Sequence, residues 1–78
     1  MALSRKIRIG LAEDNLEFCQ ILKEFLETNQ DLQVVEVAND GVQTLEMIRT
    51  TNIDLLLLDM IMPKLDGIAV LERMKMMN

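Results

Sequence analysis

A chain of 78 residues with 13 acids, 8 bases and a net charge of −5 is one small domain, too acidic to hold nucleic acid through phosphate contacts. Half of it is apolar, so it folds, and with Phe18 and Phe25 as its only aromatics the core is aliphatic and Met. A single cysteine, Cys19, excludes an internal disulfide and a cysteine metal cluster; the absence of histidine removes the commonest general base and transition-metal ligand. Hard cations held by oxygen remain. No apolar run is long enough to span a membrane, and no apolar segment follows the bases of Met1–Ile9 as in a signal peptide. A reducing cytoplasm is the expected compartment, with neither membrane nor nucleic acid as a direct partner.

The hydrophobic pattern alternates strand and helix. Ile7–Ala12 reads as a first strand. Leu16–Thr28 has helical period, with Phe18, Ile21, Leu22, Phe25 and Leu26 on one face and Glu17, Gln20, Glu24 and Glu27 turned away. Asp14 or Asn15 caps its start. After the turn at Asn29-Gln30-Asp31, Leu32–Ala38 is a second strand. Asn39-Asp40-Gly41 opens a second helix, along which Val42, Leu45 and Ile48 repeat, and Thr51-Asn52 closes it. Ile53–Leu58 is a third strand. Pro63 and Gly67 punctuate a loop, and a last helix starts near Asp66 or Gly67 with Leu71 and Met74 on its inner face. Such alternation implies α/β architecture: a parallel sheet, right-handed crossovers and flanking helices.

Asp59 is the residue that carries chemistry. It ends the run Leu55-Leu56-Leu57-Leu58, which reads as a buried strand delivering an acid to its C-terminal end. Glu13-Asp14 follows the first strand in the same way. Parallel strands bring these three carboxylates to one sheet edge, where α/β folds place their ligands. Such a cluster is costly unless a cation or a proton resolves it. Mg²⁺ suits it, with Asp14 and Asp59 as direct ligands and Glu13 holding a metal-bound water; Ca²⁺ or Mn²⁺ can substitute. Asp59 beside such an ion can act as a nucleophile toward a phosphoryl group. Phosphoryl transfer needs positioning and charge neutralisation more than acid–base groups, so the lack of histidine is no obstacle. Alone, Asp59 would read as a strand-end cap, and Glu13-Asp14 as a first-turn acid favoured by the helix dipole. Asp66 reads as a turn or cap residue, Cys19 as a core thiol without a base, and Met60, Met62, Met74, Met76 and Met77 as core filler or interface.

Glu13-Asp14 after strand one, Asp59 after strand three and Met62-Pro63-Lys64-Leu65-Asp66-Gly67 beyond it resemble a two-component response-regulator receiver domain. Val37-Ala38-Asn39-Asp40-Gly41 and Leu65-Asp66-Gly67-Ile68-Ala69-Val70-Leu71-Glu72-Arg73 resemble more closely the sporulation-regulator branch of that family in endospore-forming bacteria. The resemblance implies a flavodoxin-like parallel sheet, of which residues 1–78 are the N-terminal part, about three βα units of five. It implies that Asp59 is the phosphoacceptor, that Asp14 binds Mg²⁺ directly with Glu13 behind it, and that the Ile61 carbonyl is a further metal ligand. The donor it implies is a phosphohistidine on a histidine kinase or phosphotransferase, and the output transcriptional control of sporulation through an effector domain absent from this chain. A receiver is not an enzyme in the usual sense; at most it catalyses its own phosphorylation. The family's Ser/Thr, aromatic switch residue and Lys fall in units that this chain lacks, and Lys64 does not stand in for that Lys.

Two other classes compete. The third strand is central in a full sheet, so here one of its edges is open; this favours a dimerisation or interaction module, pairing two chains by strand edge or by swapping. A Mg²⁺-dependent phosphohydrolase wants a second acid two residues after its Asp nucleophile. Ile61 stands there, which ranks that chemistry low. Neither G-x-G-x-x-G nor G-x-x-x-x-G-K occurs, so nucleotide binding is disfavoured as well.

Overall fold

The computed structural model describes residues 5–59 and 67–77. Its elements run β1 (Ile7–Ala12), α1 (Leu16–Leu26), β2 (Leu32–Ala38), α2 (Gly41–Thr50), β3 (Leu55–Leu58) and α3 (Gly67–Met77). All three strands and all three helices expected from the pattern are present. The third strand is shorter than expected, because Ile53 precedes the pairing and lies under the sheet instead.

The sheet is parallel with order β2-β1-β3. The chain therefore leaves β1 on one side and returns past it to β3. Right-handed crossovers in opposite directions require helices on opposite faces. Strand alternation agrees. Ile9 and Leu11 point to the α1 face and cluster with Cys19 and Val34, against Leu22, Leu26 and Leu57. Gly10 points to the other face, where a Cβ would stand 2.9 Å from Ile53 Cδ1 and 3.0 Å from Met47 Cε, so a side chain there displaces both. Between Ile9 and Gly10 the register with β2 shifts: Ile9 pairs with Val34 but Gly10 with Glu36, leaving Val35 as a bulge.

Each crossover helix starts at a side-chain cap. Asn15 Oδ1 accepts the Phe18 N–H at 3.0 Å, and Asp40 Oδ1 accepts the Gln43 N–H at 2.7 Å. The first alternative is thereby settled in favour of Asn15. At the opposite end of the sheet, Asp54 Oδ2 accepts from Arg5 Nη1 at 3.1 Å and from the Arg8 N–H at 2.8 Å, tying the start of β3 to β1.

Three helix faces differ from the pattern's reading. In α1 the buried side is Cys19 with half-buried Leu22 and Leu26, whereas Phe18, Ile21 and Phe25 are exposed. The five apolar positions span a wide arc, and the three-stranded sheet covers only one side of it. In α2 the buried line is Gly41, Thr44 and Met47, and Val42 is exposed. Thr44 faces inward because its hydroxyl donates to the Asp40 carbonyl at 2.7 Å, which satisfies it locally. In α3 the inner line is Gly67, Val70 and half-buried Met74, with Val70 fully buried; Leu71 is exposed, not inner. Val70 is the deeper contact because α3 packs on α2 through the side that continues Gly67 by helical spacing. Met76 is exposed and is not core.

Candidate functional site

The strand order creates a switch point between β1 and β3, where α1 follows β1 on one face and α3 follows β3 on the other, beside α2. Ligands of open α/β sheets sit outside the C-terminal strand ends at such points. Two backbone bonds carry the ladder one residue past the strands and fix what stands there. The Asp59 N–H donates to the Ala12 carbonyl at 2.9 Å, and the Glu13 N–H donates to the Ala38 carbonyl at 3.0 Å. Ala12 and Ala38 are both buried and carry little side-chain bulk over the strand ends.

The result joins the three acids singled out in the sequence. Glu13, Asp14 and Asp59 each offer a carboxylate oxygen, and these oxygens lie within 4.8 Å of one another. Glu13 and Asp59 are half-buried and Asp14 is exposed. Below them an open cleft of about 270 Å³ is walled by Leu11, Ala12, Leu22, Leu57 and Leu58, with Glu13 and Asp59 at its mouth. The Glu13 carboxyl is held above the ordinary glutamate range, first by burial and then by a hydrogen bond with Asp14 and the charges of Asp59 and Asp14; the Asn15 N–H, donated to Glu13 Oε2 at 3.1 Å, opposes the shift. Crowding these carboxylates at a half-dry edge makes it costly to ionise all three unless a proton or a cation offsets the charge.

Two residues support this site that pattern reading did not single out for it. Asn39 Nδ2 donates to the Glu13 carbonyl at 3.2 Å, and Cys19 Sγ donates to the same oxygen at 3.3 Å. Both hold the Glu13 backbone where β1 ends. The only available signal was their position, an Asn directly after β2 and a buried thiol one turn into α1. Cys19 is buried as expected, and burial together with Glu13 and Asp14 pushes its thiol pKa up, away from nucleophilic thiolate. Ile61, Met60, Met62, Lys64 and Asp66, and most of the loop from Pro63 to Gly67, lie outside the described residues. Among the described residues, no helix is long and apolar enough to cross a membrane.

Comparison with known proteins agrees with this fold. Residues 9–78 match the family model of the response regulator receiver domain. The structure is similar to the receiver domain of Francisella response regulator 1452, at 33% identity and TM-score 0.84, covering 94% of this chain and 59% of that one. It is similar to the signal receiver domain of the Mycobacterium tuberculosis response regulator NarL, at 30% identity and TM-score 0.88, again covering 94% and 59%. A CheX–CheY–BeF3–Mg²⁺ complex from Borrelia burgdorferi shares the fold at 22% identity and TM-score 0.86, covering 95% of this chain and 56% of that one. The chain thus spans about three-fifths of the length of the first two solved receivers. Its flavodoxin-like sheet, its matched residues and these neighbours make it a member of the response regulator receiver family of two-component signalling.

Proposed function

We propose that this chain is the N-terminal part of a receiver that accepts a phosphoryl group on Asp59. The observation that carries the reading is the convergence of the Glu13, Asp14 and Asp59 carboxylates within 4.8 Å at the β1/β3 switch point. Oxygens so close are compatible with shared ligation of one hard cation at about 2.1 Å, and Mg²⁺ is the natural choice, with Mn²⁺ or Ca²⁺ as substitutes. Asp14 and Asp59 would hold it directly, Glu13 through water, and the Ile61 carbonyl would complete the protein's share by family resemblance. When bound, the ion neutralises the acids and the incoming phosphoryl oxygens.

Asp59 does the bond-making. A carboxylate oxygen attacks phosphorus, the P–N bond of a donor phosphohistidine breaks, and the imidazole leaves with a proton from solvent. Its N–H bond to Ala12 fixes the Asp59 backbone during this step. The donor is a histidine kinase or phosphotransferase. That a CheY relative is found with Mg²⁺ and BeF3 supports the cation and phosphoryl parts of this reading. The motifs from Val37 to Gly41 and from Leu65 to Arg73 favour the stage 0 sporulation protein A branch, hence a cytoplasmic phosphorelay with transcriptional output from a separate effector domain. By family resemblance the chain is a phosphoacceptor that at most catalyses its own phosphorylation.

The test is incubation with Mg²⁺ and acetyl phosphate, read by intact mass. One added phosphoryl group, labile to hydroxylamine, is expected, and it disappears with EDTA or in Asp59→Asn. An adduct that survives Asp59→Asn, or no adduct on the complete domain, overturns the assignment.

A further inference from the structure

The carboxylates of the site stand just past the strand ends, where the sheet stops holding the backbone. The peptide between Ala12 and Glu13 is still held from both sides. Its carbonyl accepts the Asp59 N–H at 2.9 Å, and its N–H donates to the Ala38 carbonyl at 3.0 Å. The next peptide, between Glu13 and Asp14, lies beyond the last residues of β1 and β2. Its carbonyl takes side-chain donors instead: Asn39 Nδ2 at 3.2 Å, from the segment after β2, and Cys19 Sγ at 3.3 Å, from α1. A peptide unit is planar, so fixing its carbonyl sets where the Asp14 Cα and its side chain leave the backbone.

These two donors are unequal, since a thiol donates weakly and an amide fully. Asn39 is itself fastened. Its N–H donates to Gln43 Oε1 at 2.9 Å, and the Gln43 N–H donates to Asp40 Oδ1 at 2.7 Å. Asp40 is the buried cap of α2. In a regular capping box the Gln side chain would return to the N–H of the cap residue itself. Here it reaches one residue further back and holds Asn39. A line of hydrogen bonds therefore runs from the start of α2 through Gln43 and Asn39 to the peptide that carries Asp14.

We infer that Asn39 is a positioning residue for the acidic cluster: through the Glu13 carbonyl it fixes the direction of the Asp14 carboxylate, and Gln43 steadies it. The inference rests on the reading that Glu13, Asp14 and Asp59 hold a hard cation. Asn39 adds no charge and stands behind the ligands, so what it contributes is preorganisation. Asp14 is the exposed member of the three, and packing restrains its side chain least. A carboxylate that is already aimed loses less freedom when a cation is bound. Removing groups that orient metal ligands weakens metal binding by about 10- to 100-fold. The low end applies to Asn39, because every ligand and the thiol donor remain in its absence.

The test is Mg²⁺ titration of the complete receiver domain, followed by the backbone amide NMR shifts of Glu13, Asp14 and Asp59, with the metal-free thermal midpoint measured beside it. Asn39→Ala is expected to weaken Mg²⁺ binding about tenfold, and Gln43→Ala to weaken it less. Val70→Ala, buried where α3 meets α2, is the control for stability alone: it lowers the thermal midpoint and leaves Mg²⁺ affinity as it was. An Asn39→Ala domain that behaves like this control, less stable but with wild-type affinity, overturns the inference and leaves the cation reading standing. A wild-type domain whose shifts do not respond to Mg²⁺ overturns both. Should Asn39→Ala fail to fold, Gln43→Ala decides, and wild-type affinity in that variant overturns the inference.

Discussion

Glu13 shows how one residue converts site geometry into a measurable response. Burial and its acidic neighbours raise its pKa, so the folded chain favours the protonated form. A carboxyl raised on folding contributes stability that is complete at low pH and lost as pH rises through its folded titration. The metal-free chain is therefore expected to lose thermal midpoint as pH rises through and above the ordinary glutamate range, and Mg²⁺ is expected to restore it there. Glu13→Gln should flatten both effects. An unchanged pH profile in that variant would remove Glu13 from the cluster's energetics. Asp54 works with the opposite sign: its hydrogen bond from Arg5 lowers its pKa, so its contribution is present above the ordinary aspartate range and fades in acid. The acids themselves were legible in the sequence, because each directly follows an apolar strand. The Asn39 and Cys19 bonds to the Glu13 carbonyl were not, because they link residues 26 and 6 positions away through backbone placement alone.

Among elements, the strands were read from the chain more accurately than the helix faces. Ile7–Ala12 and Leu32–Ala38 are found with the boundaries their composition suggests. Helix starts were also legible, since Asn15 and Asp40 are strong capping types ahead of apolar periodicity. Asn15→Ala should cost about 1 kcal/mol and Asp40→Ala closer to 2 kcal/mol, the range for cap removal. The difference arises because Asp40 is only 6% exposed, so its removal leaves the Gln43 N–H without its partner in a drier place than the exposed Asn15 cap does. Urea unfolding measures both, and equal losses would show that burial of Asp40 adds nothing. Inner faces were less legible. Val42, Leu45 and Ile48 repeat as a core line should, yet Thr44 and Met47 are the residues turned inward. Apolar spacing specifies a face only to within its width, and a threonine that satisfies its own hydroxyl can occupy the buried side.

At the scale of the molecule, a small domain has little core to spare. Val70 is fully buried where α3 meets α2. Val70→Ala is expected to remove about 2 kcal/mol and lower the thermal midpoint by roughly 10 °C. Retention of the native midpoint would mean that α3 contributes nothing to the cooperative unit. By itself the sequence determined the βαβαβα order, the parallel sheet and the acid identities at two strand ends, because period, capping chemistry and strand-terminal charge are local properties. Only the tertiary structure decided the order β2-β1-β3, which places Asp59 beside Ala12 and closes three carboxylates to within 4.8 Å. It also decided that Phe18, Ile21 and Phe25 lie outside the core: a helix sequence records how wide its apolar face is, and only the sheet beneath it settles how much of that face is covered.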